Sequence, residues 1–347
     1  MRGNRAVVAA TWMLVLLASV ACDPASATGG SNSMTVSRSG IATGAAAAPA
    51  TSPDAVPTPF AAGATAAQRV SSGQSVPSAS TAGASGEPDR WQTATSLVWI
   101  PAGDHQVPGW LTTPAGEDHR VPAVLLLHGD TASKNNPLLT HLEPLLAQHG
   151  IASLAIDFAG SGDSKQPQTA LTYPGMMSDA WTAFTYLQHQ PDIDASRVAI
   201  LGHSRGGTVA ADLAGSNPGV AAEVTWAGYV INGFDEDPPD HRIAEEKGSV
   251  TVGGWTYSRA WFDTIEASTS FTDGVRYTGP VLSVVGSADP LVTPALAQAF
   301  VKACASSDKQ LKVIDGAGHD LGLSTSAALL AETTDTTIDW LVGRLQA

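Results

Sequence analysis

From residue 89 onward the chain alternates two hydrophobic textures. Short, nearly unbroken apolar runs stand between turn residues at Val121-Pro-Ala-Val-Leu-Leu-Leu127, Ile151 to Ile156, Val198 to Leu201 and Pro280 to Gly286, and Glu223 to Tyr229 and Gln310 to Ile314 read as further strands. Runs of this length without polar alternation read as strands buried on both faces. Between them lie segments with apolar residues at helical spacing: Pro137 to Gln148, Met176 to Gln190, Val209 to Ala214, Pro294 to Ala305 and Ala327 to Leu345. In the second of these, Trp181, Phe184 and Leu187 are expected to face the core. Ser96 to Ile100 and Gln106 to Thr112 flank Gly103-Asp104 and predict an antiparallel entry hairpin. Asp192 to Arg197 reads as a turn into the following strand. Strands alternating with helices predict an α/β domain whose mostly parallel sheet is covered on both faces. Residues 232–278 break the rhythm with an acidic, proline-containing patch (Asp235 to Asp240) and then Trp255, Tyr257, Trp261, Phe262 and Phe271. An irregular insertion of this length in a compact domain is as a rule functional.

In such sheets reactive groups gather beyond the carboxyl ends of the strands. There the chain reads Gly202-His-Ser-Arg-Gly-Gly207, between an apolar strand and a helix-compatible run. This is the G-x-S-x-G pattern in its strand, sharp turn, helix setting, with Ser204 as candidate nucleophile. Gly202 and Gly206 leave room for the turn, and Gly207 lets the helix pack closely. A serine hydroxyl needs a base, and His319, in the glycine-rich loop Asp315-Gly-Ala-Gly-His-Asp320, is the candidate. His203 points away along the strand, while His141, His149 and His189 sit on or beside helices. The imidazole in turn needs a carboxylate, for which Asp289 in Gly286-Ser-Ala-Asp-Pro290 is the candidate, with Asp315 and Asp320 as competitors. Negative charge developing on an attacked carbonyl needs N–H donors. Arg205 is expected to supply one, and the loop after Leu127 the other, through the N–H of Asp130. The Asp130 carboxylate should then turn away or pair with Lys134.

Taken in order, His128-Gly129 with Lys134, Asp157 to Ser164, Gly202 to Gly207, Asp289 and His319 make the chain from about Trp91 to Leu345 resemble the α/β-hydrolase superfamily. The nearest branch is that of dienelactone-hydrolase-like and feruloyl-esterase-like bacterial serine esterases. The resemblance implies an α/β-hydrolase fold, hydrolysis of small carboxylic esters through an acyl-enzyme, no cofactor, and a cap formed by residues 232–278. Ser204 departs from the cysteine of the dienelactone hydrolases, so lactone chemistry is not implied. Ala159 and Ser161 depart from the family's Asp157 to Ser164 loop, which we read as structural. A peptidase of prolyl-oligopeptidase or aminopeptidase type, and a non-catalytic surface binding protein, use the same fold.

Composition changes the picture at the amino-terminal end. Met1-Arg-Gly-Asn-Arg5 followed by the apolar run Ala6 to Ala21 predicts a signal peptide over 1–22, since a membrane span wants ~20 apolar residues. Leu17-Ala-Ser-Val-Ala-Cys22 resembles a bacterial lipobox, with Ser19 departing from its usual leucine. A lipid on Cys22 would anchor the chain at the cell envelope, and without it the chain would be secreted. Residues 23–88, rich in Ala, Ser, Thr, Gly and Pro, read as a disordered tether to a catalytic domain at 89–347. The 347-residue chain has a net charge of −14, which argues against nucleic-acid binding, since that needs clustered Lys and Arg. Its two cysteines, Cys22 and Cys304, are not expected to pair, and Cys304 reads as a small buried hydrophobe. No His/Cys/Asp cluster has metal-ligand spacing.

Overall fold

A computed structural model describes residues 92–115, 119–228, 239–266 and 273–346. The expected signal peptide, Cys22 and the tether lie outside the described residues, as do Tyr229, residues 235–238 and Phe271.

The entry hairpin forms from β1 (Gln92–Ala102) and β2 (His105–Ala115), antiparallel over their full length. Then follow β3 (Val121–Leu127), α1 (Pro137–Gln148), β4 (Ala152–Ile156), α2 (Tyr173–Gln188), β5 (Ile193–His203), α3 (Arg205–Ser216) and β6 (Glu223–Trp226). After the insertion come β9 (Val281–Gly286), α6 (Pro294–Ala303), β10 (Lys309–Ile314) and α7 (Ala327–Leu345). Eight strands form one sheet in the order β1-β2-β4-β3-β5-β6-β9-β10. From β4 through β10 all neighbours run parallel, and β2 joins β4 antiparallel. Every residue of β3, β4, β6 and β9 is buried, as expected of central strands whose two faces are both covered by helices.

Two apolar clusters sandwich the sheet. One holds Met176, Phe184 and Leu187 of α2 with Val209 and Leu213 of α3. The other holds Leu138, Leu142 and Leu146 of α1 with Ile338 and Leu341 of α7. Asn136, Thr172, Thr293 and Ser326 cap the amino termini of α1, α2, α6 and α7 by accepting from free backbone N–H groups.

Three expectations are corrected. Trp181 is 47 % exposed, because it lies off the stripe of α2 defined by Met176, Ala180, Ala183, Phe184 and Leu187. Residues 193–197 belong to β5, where Ile193 pairs with Val121 across an irregularity in the register rather than forming a turn. The insertion is regular where it is described. It comprises α4 (Pro239–Lys247), a hairpin of β7 (Ser249–Val252) and β8 (Trp255–Ser258), and α5 (Arg259–Glu266). Trp255, Tyr257, Trp261 and Phe262 are buried in the same cluster as α2 and α3, so these aromatics form the insertion's own core and dock it onto the sheet's helical layer.

Candidate active site

β5 lies in the middle of the sheet and delivers its last residue, His203, to the turn that begins α3. Ser204 sits in that turn at φ 54°, ψ −122°, a left-handed conformation that costs a non-glycine residue ~1–3 kcal/mol. The turn is tight enough to forbid side chains beside it. A Cβ on Gly202 would collide with the carbonyl of Gly206, and one on Gly206 with the carbonyls of Leu127 and His128. Ser204 is only half-buried, although α3 behind it is buried from Arg205 to Ala214.

The loops after β9 and β10 converge on this turn. His319 Nε2 is 3.0 Å from Ser204 Oγ, and His319 Nδ1 is 2.8 Å from Asp289 Oδ2. With Nδ1–H donating to the carboxylate, Nε2 is left to accept the serine proton. Asp289 has a fully buried side chain, and its Oδ1 accepts from the backbone N–H groups of Leu291 (2.8 Å) and Val292 (3.0 Å). Those bonds hold the carboxylate rigidly toward the imidazole. The competing carboxylates are engaged elsewhere. Asp315 accepts from the Ser287 hydroxyl at 2.9 Å, and Asp320 accepts from the N–H groups of Gly322 and Ser324. His149 and His189 cap helix ends through backbone carbonyls of Leu145 and Thr185.

Arg205 and Asp130 face each other across the turn. The Arg205 Nε lies 3.4 Å from Asp130 Oδ2, and the guanidinium lies 5.8 Å from the Trp261 ring centroid in α5. Of the two arrangements expected for the Asp130 carboxylate, turning away or pairing with Lys134, the pairing does not form. Lys134 is fully buried and donates instead to Asp157 and Asp163, both at 2.6 Å. Burial alone would pull its ammonium down, but the bonds to Asp157 and Asp163 outweigh this and hold it above the usual lysine value. Asp157 also accepts from the N–H groups of Lys134 and Asp163, so the loop after β4 braces the loop after β3. The Arg205 N–H is the first of α3, at an end where backbone donors lack acceptors within the helix and carry positive dipole.

His203, whose place on the strand speaks against it as the base, nonetheless touches this site: its Nε2 lies 3.0 Å from the His319 carbonyl oxygen. That contact joins residues 116 apart, and no local pattern announces it.

A central β5 ending in a strained serine turn, with the acid and the histidine on loops after the last two strands, defines the α/β-hydrolase class. The sequence profile described as "Alpha/beta hydrolase family" matches residues 124–333. The chain belongs to that family. An uncharacterized protein of Mycobacterium tuberculosis is 28% identical over 203 residues, which cover 57% of this chain and 63% of that protein. The match thus spans less than two thirds of the relative's length. A solved structure of Est1E from Butyrivibrio proteoclasticus with ferulic acid bound superposes with a TM-score of 0.61 at 18% identity, covering 72% of this chain and 100% of that one. A dienelactone hydrolase from Anabaena variabilis gives 0.52 at 21% identity, over 73% and 99% of the two chains. A monoacylglycerol lipase from Paleococcus ferrophilus gives 0.55 at 18%, over 70% and 99%. At these identities the likeness is one of fold.

Proposed function

We propose that the protein is a serine hydrolase of carboxylic esters acting through an acyl-enzyme. The observation that carries this reading is the relay from Asp289 through His319 to Ser204, with contacts of 2.8 and 3.0 Å on a strained serine turn. In it, His319 Nε2 takes the Ser204 proton as Oγ attacks the ester carbonyl carbon. Asp289 stabilises the resulting imidazolium without itself becoming protonated. The carbonyl oxygen becomes an oxyanion that the N–H groups of Arg205 and Asp130 receive, each such donor being worth ~3 kcal/mol in the transition state. His319 then gives its proton to the leaving alcohol, the C–O bond breaks, and the acyl group stays on Oγ. Water activated by the same imidazole releases the acid and restores the serine. The Asp130 carboxylate, drawn toward Arg205, has a partner other than the oxyanion.

The test is hydrolysis of p-nitrophenyl acetate, butyrate and octanoate by the purified chain beside Ser204→Ala. Turnover is expected in the first and a loss of at least ~10⁴-fold in the second. Faster cleavage of peptide anilides than of all three esters would instead assign a peptidase. A folded chain that turns over neither class would sink the hydrolase reading.

A further inference from the structure

The residue before the serine carries an imidazole that enters none of these proton transfers. His203 is 8 % exposed, and its ring centroid lies 5.1 Å from that of His319. Its Nε2 meets the backbone carbonyl oxygen of His319 at 3.0 Å. A carbonyl oxygen can only accept, so Nε2 carries the proton and donates. Nδ1 is buried and has no partner among the described residues. Burial, together with the nearby His319, pulls the ring down to about 4, so it stays neutral near neutral pH with its one proton on Nε2.

This bond meets a specific need of the site. Asp289 restrains the His319 side chain at Nδ1, but the main chain of His319 follows Gly316-Ala-Gly318, with Gly316 at φ +79°. Backbone of that composition does not fix a side chain by its own stiffness. Misplacing a reacting group by ~1 Å can cost ~10²-fold in rate. His203 is the last residue of β5, bonded to the His319 main chain and adjacent in sequence to Ser204. Nucleophile and base are thereby referred to the same rigid strand end.

We infer that His203 is a positioning residue whose Nε2–H holds the main chain of His319, keeping the imidazole within reach of Ser204 Oγ. The inference rests on the serine-hydrolase reading, because it assigns His203 a role only through His319. It also separates two otherwise similar substitutions. Glutamine carries its amide nitrogen near the position of a histidine Nε2, whereas asparagine carries its own near Nδ1. His203→Gln can restore the bond, and His203→Asn and His203→Ala cannot.

The experiment follows the rate at which a fluorophosphonate labels Ser204 in the full chain and in these three variants. Thermal unfolding and the kcat and KM of p-nitrophenyl butyrate are measured on the same samples. His203→Gln should label within about threefold of the parent. His203→Asn and His203→Ala should slow ~10–100-fold through kcat, with KM within about twofold. Should His203→Asn fail to fold, the comparison of His203→Ala with His203→Gln carries the test. Equal slowing of the glutamine variant and its comparators, or slowing that tracks lowered unfolding temperature, would overturn the inference alone. A parent chain that does not label would overturn the hydrolase reading and this inference with it.

Discussion

Ser204 pays for its exposure in backbone energy: at φ 54° it occupies a conformation that glycine adopts freely and alanine does not. Replacing it by glycine and by alanine removes the hydroxyl in both cases, but only glycine also relieves the strain. Ser204→Gly is therefore expected to be more stable than Ser204→Ala by about 1 kcal/mol in denaturant unfolding, with both inactive. Equal stabilities would mean that the turn is not strained. At this scale the sequence was most legible where chemistry is local. The glycines around Ser204 announce a turn that no Cβ could enter, and Asp289 and His319 lie in loops that follow strands. It was least legible where partners lie far apart. Neither the Arg205 to Asp130 pair nor the His203 to His319 bond leaves a trace in the order of residues, because each forms only once β3, β5 and β10 are assembled.

At the scale of elements, the loops after β3 and β4 are joined by one buried cation. Lys134 and Asp157 are both fully buried, so neither charge can be left alone without a large desolvation penalty. Lys134→Met should destabilise the fold by ~3–5 kcal/mol, and adding Asp157→Asn should return part of that loss. Urea unfolding of the single and double variants checks this, and strictly additive losses would deny the coupling. The elements themselves are legible where an unbroken apolar run or a capped helical stripe marks them, as in β3, α1 and α7. The insertion hides its elements, because α4, β7, β8 and α5 are each too short for a period to emerge. Trp181 shows the same limit from another side, since spacing alone does not say which edge of a helical stripe meets the core.

Across the whole molecule, buried acids set how the fold responds to pH. Burial raises Glu223 to about 8, with Asp212 nearby adding to the effect, and raises Glu143 and Asp212 to about 7. Folded, these carboxyls hold their protons more tightly than they do in the unfolded chain. Their stabilising contribution is complete below the ordinary carboxylate range and is lost as pH climbs through about 7 to 8. His203 has the opposite sign: lowered to about 4, it contributes fully above the ordinary histidine range and loses that contribution as pH falls toward 4. Glu223 shows the cost most plainly, since neither carboxyl oxygen has a partner among the described residues. Glu223→Gln should raise the unfolding temperature more at pH 8.5 than at pH 5, with a gain on the order of a few kcal/mol at the higher value. A gain that does not change with pH would show that the carboxyl does not titrate in this range.

The order in which the site's parts occur along the chain also bears on its synthesis. Ser204 follows β5, while Asp289 and His319 follow β9 and β10. A ribosome that has released everything through β6 has released a hydroxyl with no base to activate it. The relay can close only when the loop after β10 has emerged and docked, by which point all eight described strands of the sheet have been made. Under the proposed mechanism the growing chain carries an unarmed nucleophile during translation, and β9 and β10 both complete one side of the sheet and bring the groups that arm it.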